Sequence, residues 1–237
     1  MPSNLFPNTH PPANVVAIDT TSDYLSLALQ KNGIPVGNHY SLCGRKTNQW
    51  LFQELHTLLE GAQMTPGELD LVVVAAGPGS FTGTRMGMGA ALSFGQVLGV
   101  PVIGVDTLCL LAGQTQPTEG LFHALLHCTR DEVYQAAYRW QGEELIPAGN
   151  IQMELIENLG DLIGQEPVVW RSLFPDMLSP DQTGILNGFP QRALRHPFPD
   201  GLRLLEAGLA RWHSRKGPIP PPRPIYLKSE AIRKWTP

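Results

Sequence analysis

The segment that most limits how this chain can fold lies between Leu71 and Gly99. Six apolar residues, Leu71 to Ala76, run without a break into Gly77-Pro-Gly-Ser-Phe-Thr-Gly83. A short, uninterrupted aliphatic run reads as a strand buried on both faces. The glycines that follow permit a sharp turn and a close backbone approach. Ser80 or Thr82 is placed to cap a helix by accepting from its free N–H groups. That helix, expected over 84–98, continues a row of small residues at every fourth position: Gly83, Gly87, Ala91, Gly95 and Gly99. Each glycine costs a helix about 0.8–1.0 kcal/mol relative to alanine, so close packing of some kind must offset the row. Strand, glycine turn and helix in that order predict an α/β chain.

The flanking sequence extends the pattern. Val15 to Ile18 and Tyr24 to Leu29 read as strands, and Lys31-Asn-Gly33 is a hairpin turn that returns Ile34 to Leu42 as a third. Leu51, Leu55, Leu58 and Ala62 form one apolar stripe of a helix over 47–62. Trp50 and Phe52 lie to either side of that stripe, where they could close the core edge or face a partner. The segments 121–128, 132–140 and 144–153 read as three more strands, followed by a helix over 154–163, a strand over 167–170, a loop over 172–201 and a helix over 202–215. The expected fold is therefore mixed α/β, in two lobes of βββαβα order. The expected divisions are a flexible Pro-rich tail over 1–13, an N-terminal lobe over 14–115 and a C-terminal lobe over 116–237. The 24 glycines and 22 prolines fall below the composition of a disordered chain, and 42% hydrophobic residues can supply a core.

Charge and cysteine content narrow the function. With 17 Lys and Arg against 21 Asp and Glu, the chain has no basic surplus to neutralise a phosphate backbone alone. Cys43, Cys109 and Cys128 form neither a CxxC pair nor an even disulfide set, so a reducing, cytoplasmic setting is expected. Met86 to Val105 is uncharged and long enough to span a bilayer, but its glycines and Pro101 read as helix, turn and strand.

Several residues could carry chemistry. Gly77, Gly79, Ser80, Thr82, Gly83 and Arg85 form a turn that opens a helix, which suits either a phosphate contact or a tight strand–helix connection. The turn lacks the lysine of a P-loop and has one residue too many for a dinucleotide fingerprint. Asp19 and Thr20, ending the first strand, could hold a metal or phosphate or satisfy their own turn. His123 and His127 stand four apart on an expected strand, roughly 13 Å from each other, too far to share a zinc ion. The small-residue row, with Met86, Met88 and Phe94 beside it, could pack on the chain's own sheet or receive a helix from another chain.

Val16-Ala-Ile-Asp-Thr-Thr-Ser22, Gly77-Pro-Gly-Ser-Phe-Thr-Gly-Thr-Arg85, Val102-Ile-Gly-Val-Asp-Thr-Leu108, Glu132-Val-Tyr134 and Pro224-Ile-Tyr-Leu-Lys228 resemble the TsaB, or YeaZ, family. The resemblance implies an actin-like ATPase fold of two ribonuclease-H-like lobes. It implies a non-catalytic subunit that binds a TsaD-like catalytic subunit, joined by a TsaE-like ATPase, to form threonylcarbamoyladenosine at position 37 of tRNA. tRNA would be met only through that complex, and no membrane is involved. It implies that the first two helices dock the partner, through Trp50, Leu51, Phe52, Leu55, Met86, Gly87, Met88, Ala91, Phe94 and Gly95. A leucine at Gly87 or Gly95 is then expected to block docking without unfolding the chain. The same helices could pair the free protein with itself. No cofactor of its own is implied, and ATP or ADP at the partner interface is left open. An independent ATPase would have Asp19 as its one obvious catalytic carboxylate, and a metallopeptidase would need a paired-histidine helix that is absent.

Overall fold

The computed structural model describes residues 11–44, 47–195 and 199–227. The polypeptide divides into two compact units. The first holds five strands in the order β3-β2-β1-β4-β5, with β1 Val15–Asp19, β2 Tyr24–Lys31, β3 Ile34–Leu42, β4 Leu71–Gly77 and β5 Val102–Asp106. β1, β4 and β5 run parallel, while β2 pairs antiparallel with both β1 and β3. All five residues of β1 and all seven of β4 are buried, as their unbroken apolar runs require. Helices α1 Thr47–Gly61 and α2 Phe81–Leu98 cover this sheet, and α3 Thr107–Gly113 follows β5. α2 ends at Gly99, which is left-handed at φ 69° and returns its N–H to the Gly95 carbonyl.

The second unit holds β6 Leu121–His127, β7 Glu132–Gln141, β8 Glu144–Pro147, β9 Gln152–Leu155 and β10 Val168–Ser172. β10 lies parallel to β6, and β7 runs antiparallel beside it. The single strand expected over 144–153 is two. β8 pairs with Tyr138–Gln141 at one end of β7, and β9 pairs with Glu132–Gln135 at the other. The expected helix over 154–163 shortens to α4 Leu159–Ile163, after one 3-10 turn. The segment expected as loop contains α5 Pro180–Gly188. Ser179 caps it, accepting from Gln182 N–H at 3.2 Å, while Gln182 Oε1 accepts from Ser179 N–H at 2.9 Å.

The domain boundary needs correction. α6 Gly201–Ser214 lies within the range expected for the C-terminal lobe, yet it packs on the first sheet. Leu204, Leu205 and Trp212 are buried against Val15, Ala17, Ala28, Val73 and Val105. Burying each large apolar side chain contributes about 1.5–3 kcal/mol. Asp200 caps the helix by accepting from Leu202 N–H at 3.0 Å. Residues 199–224 thus complete the first unit, and the second spans 111–195 together with 225–227 of the described residues. The expected tail also ends earlier. Residues 1–10 lie outside the described residues, but Ala13 and Asn14 donate their N–H groups to Asp70 Oδ2 at 2.9 and 2.8 Å, and Pro12 is buried. Among the described residues, no helix is long and apolar enough to cross a membrane.

Candidate functional site

The glycine turn and the end of β1 interlock. Ser80 caps α2 as its hydroxyl accepts from Gly83 N–H at 3.3 Å. Ser80 N–H donates to the Thr21 carbonyl at 2.7 Å, and Thr84 N–H to the Ser80 carbonyl at 2.8 Å. The buried Thr20 hydroxyl donates to the Gly83 carbonyl at 2.7 Å. Asp19 is only 5% exposed, and its Oδ1 accepts from both the N–H and the hydroxyl of Thr21, at 2.8 and 2.7 Å. Thr107 donates to the Pro78 carbonyl. Thr82 and Arg85 lie at the surface, where the Arg85 guanidinium covers the Phe81 ring at 3.7 Å.

The turn is largely closed on the chain itself. The N–H groups of Ser80, Gly83 and Thr84 already have acceptors inside the chain. A β-carbon at Gly79 would stand 2.5 Å from the Thr21 carbonyl oxygen, and one at Gly83 would overlap the Thr20 carbonyl oxygen. Gly79 and Gly83 therefore admit the Thr20–Thr21 backbone.

The small-residue row is likewise occupied from within, which corrects the expected open groove. A β-carbon at Gly87 would overlap the Thr20 hydroxyl oxygen. One at Gly95 would overlap the Val102 side chain and stand 3.0 Å from the Val100 carbonyl oxygen. Ala91 is fully buried and Met88 nearly so. On α1, Leu51 and Leu55 are also core residues. Six of the ten residues implied for partner binding thus face the chain's own sheet. Met86 and Phe94 are half-buried. Trp50 and Phe52 remain exposed, at 40% and 58%. The sequence reading missed Phe81 and Val97, exposed on α2 at 57% and 82%. Their signal was available: both lie off the glycine row, so a helix seated on that row turns them outward.

His123 and His127 lie on β6, as expected of a strand pair, and each has its own partners. His123 bridges Glu166 Oε2 at 2.6 Å and the Gln135 amide. His127 meets the Ser172 hydroxyl at 2.7 Å through Nδ1, with the Thr129 and Arg130 backbone also against the ring. Burial holds the His127 imidazole below its usual pKa. Burial likewise pushes the Cys109 and Cys128 thiols up to about 12. Among the described residues, no three His, Cys, Asp or Glu side chains stand together as a metal site.

Comparison with known proteins agrees with this architecture. Residues 32–170, over half the chain, match the family model described as TsaD: tRNA N6-adenosine threonylcarbamoyltransferase. The chain belongs to that family. Among its relatives is the tRNA threonylcarbamoyladenosine biosynthesis protein TsaB of Bacillus subtilis, 27% identical over 93% of this chain and 97% of that protein. The Escherichia coli TsaB is 32% identical over 55% of this chain and 59% of its own. The solved structure of YeaZ from Pseudomonas aeruginosa superposes with a TM-score of 0.72, covering 91% of this chain and all of the other at 24% identity. These relatives place the chain with the TsaB/YeaZ members of the family, and the YeaZ superposition supports the two-lobed mixed α/β fold.

Proposed function

We propose that this protein takes part in forming threonylcarbamoyladenosine in tRNA, as a non-catalytic subunit that docks a TsaD-like catalytic partner. One observation carries the docking surface: α1 and α2 seat their small and aliphatic faces on the sheet and turn Trp50, Phe52, Phe81 and Val97 outward. Large exposed apolar side chains on adjacent helices suit a partner helix pair. The TsaB relatives support the pathway. The thin acidic balance of the chain supports tRNA being held by the complex rather than by this subunit alone. A TsaE-like ATPase joins the assembly, which works in the cytoplasm.

Reconstitution tests the reading. TsaD-like and TsaE-like partners, threonylcarbamoyl-adenylate, ATP and tRNA are mixed with and without this protein, and modified adenosine is measured. Product should depend on this protein and fall with Phe52→Asp. Equal product without it would overturn the proposal. Product from this protein in the absence of a TsaD-like partner would assign the transferase activity to this chain instead.

A further inference from the structure

We propose that the cavity between β3 and α1 binds a small aliphatic amine as its ammonium ion. The site is built by this chain alone and goes beyond the docking function above. The cavity measures about 260 Å³. Val36 and His39 of β3 form one wall. Glu54, Thr57, Leu58 and Gly61, at i, i+3, i+4 and i+7 along α1, form the other.

A bulge shapes the strand wall. Leu29 and Gln30 of β2 pair with Gly37 and Pro35, so Val36 is the extra residue. Gly37 leaves room for Leu58, whose Cδ1 would stand 2.5 Å from a β-carbon there. Leu58 thus packs onto the strand, and with Val36 it gives the cavity its apolar lining.

The helix wall supplies charge. The Glu54 side chain is only 20% exposed, yet among the described residues no group donates a hydrogen bond to its carboxylate. His39 Nε2 lies 3.5 Å away, longer than a formed N–H···O bond, and closer to the Ser41 hydroxyl at 3.3 Å. The Lys31 ammonium is committed to the Ala62 and Gln63 carbonyls, at 2.8 and 3.1 Å. A carboxylate stripped of most of its water is stabilised by a cationic donor. Thr57 adds a second acceptor, because its hydroxyl proton already goes to the Gln53 carbonyl at 3.0 Å. An anion would be repelled by Glu54. A metal ion would find too few ligands, since among the described residues no three His, Cys, Asp or Glu side chains stand together. An ammonium on a short branched carbon body answers Glu54 and Thr57 with N–H groups, and Val36 and Leu58 with apolar surface.

The test titrates the isotope-labelled full chain at pH 8 with isoamylamine, followed by amide NMR shifts. Isoamyl alcohol and isovalerate, which keep the branched carbon body and change the charge, are titrated in parallel. Saturable shifts confined to 36–39 and 54–62 are expected for the amine, with a Kd in about the millimolar range for so small a ligand. The alcohol and the carboxylate should bind about tenfold or more weakly, the factor carried by one hydrogen bond to a charged group. Glu54→Gln should weaken the amine by that same factor with an unchanged unfolding midpoint. Glu60→Gln, exposed on the same helix and paired with His56, should alter it by less than about twofold. Equal binding of the alcohol or the carboxylate, shifts centred elsewhere, equal effects of the two variants, or no saturation would overturn the proposal. The comparison of ligands on the unaltered chain decides the matter even if a variant fails to fold.

Discussion

Replacing Gly83 with alanine probes the seat of α2 directly. On helix propensity alone the change should stabilise by up to about 1 kcal/mol. The new methyl would instead overlap the Thr20 carbonyl oxygen and stand 3.1 Å from its carbonyl carbon. Thr20 is 1% exposed and continues directly from β1, so no side-chain rotation relieves the clash. Overpacking of this kind costs about 1–3 kcal/mol. Moving α2 away from Thr20 also loses the buried Thr20–Gly83 hydrogen bond, worth about 1 kcal/mol. Set against the propensity gain, the net expectation is a loss of about 1–3 kcal/mol. Gly89 on the same helix is the control, because a β-carbon there meets nothing within 4 Å. Gly89→Ala should gain about 0.5–1 kcal/mol. At roughly 2–4 °C per kcal/mol for a chain of this size, the two variants should melt about 3–16 °C apart. Thermal and urea unfolding followed by circular dichroism measure the difference. Midpoints within 1 °C of each other would refute the interlock between α2 and the end of β1.

Other outcomes follow from the same geometry. Gly95→Leu should fail to fold or lose several kcal/mol, against the sequence-based expectation of a folded variant, because Val102 and the Val100 carbonyl fill the space; soluble yield and urea midpoint check this. Phe52→Asp should keep the unfolding midpoint within about 2 °C while weakening the TsaD-like partner at least tenfold in calorimetry, since Phe52 is 58% exposed. The lowered pKa of His127 means the unfolded chain takes up that proton first, so stability is full above about pH 6.5 and declines as pH falls below it. Urea midpoints from pH 7.5 to 5 should show that decline, and His127→Gln should flatten it. Iodoacetamide at pH 8 should label Cys43 ahead of Cys109 and Cys128, because burial pushes the latter two thiols up to about 12 and leaves little thiolate.

The strands and first two helices were legible because their patterns are local. The run Leu71–Ala76, the Asn32-Gly33 turn and the α1 stripe each name their own structure. α5 was hidden by Pro180, Gly184 and Gly188, although Ser179 with Gln182 three residues later is a capping-box signature, with proline at the first helical position. The placement of α6 left no local trace, since an amphipathic stripe shows that a helix covers something without showing which sheet. The glycine row had the same limit. Its spacing shows that something approaches α2 closely, and only the structure identifies Thr20 and Val102 as what approaches.

The return of α6 to the first sheet sets an order on synthesis. Val15, Ala17, Ala28 and Val73 are translated early, and the helix that covers them follows about 90 residues after Leu110. At ribosomal speeds of about 5–20 residues per second, one face of that sheet stays bare for roughly 5–20 s while most of the second unit emerges. A ribosome that stalls before Trp212 therefore leaves a nascent chain with an open apolar sheet face, a substrate for chaperones rather than a smaller folded protein.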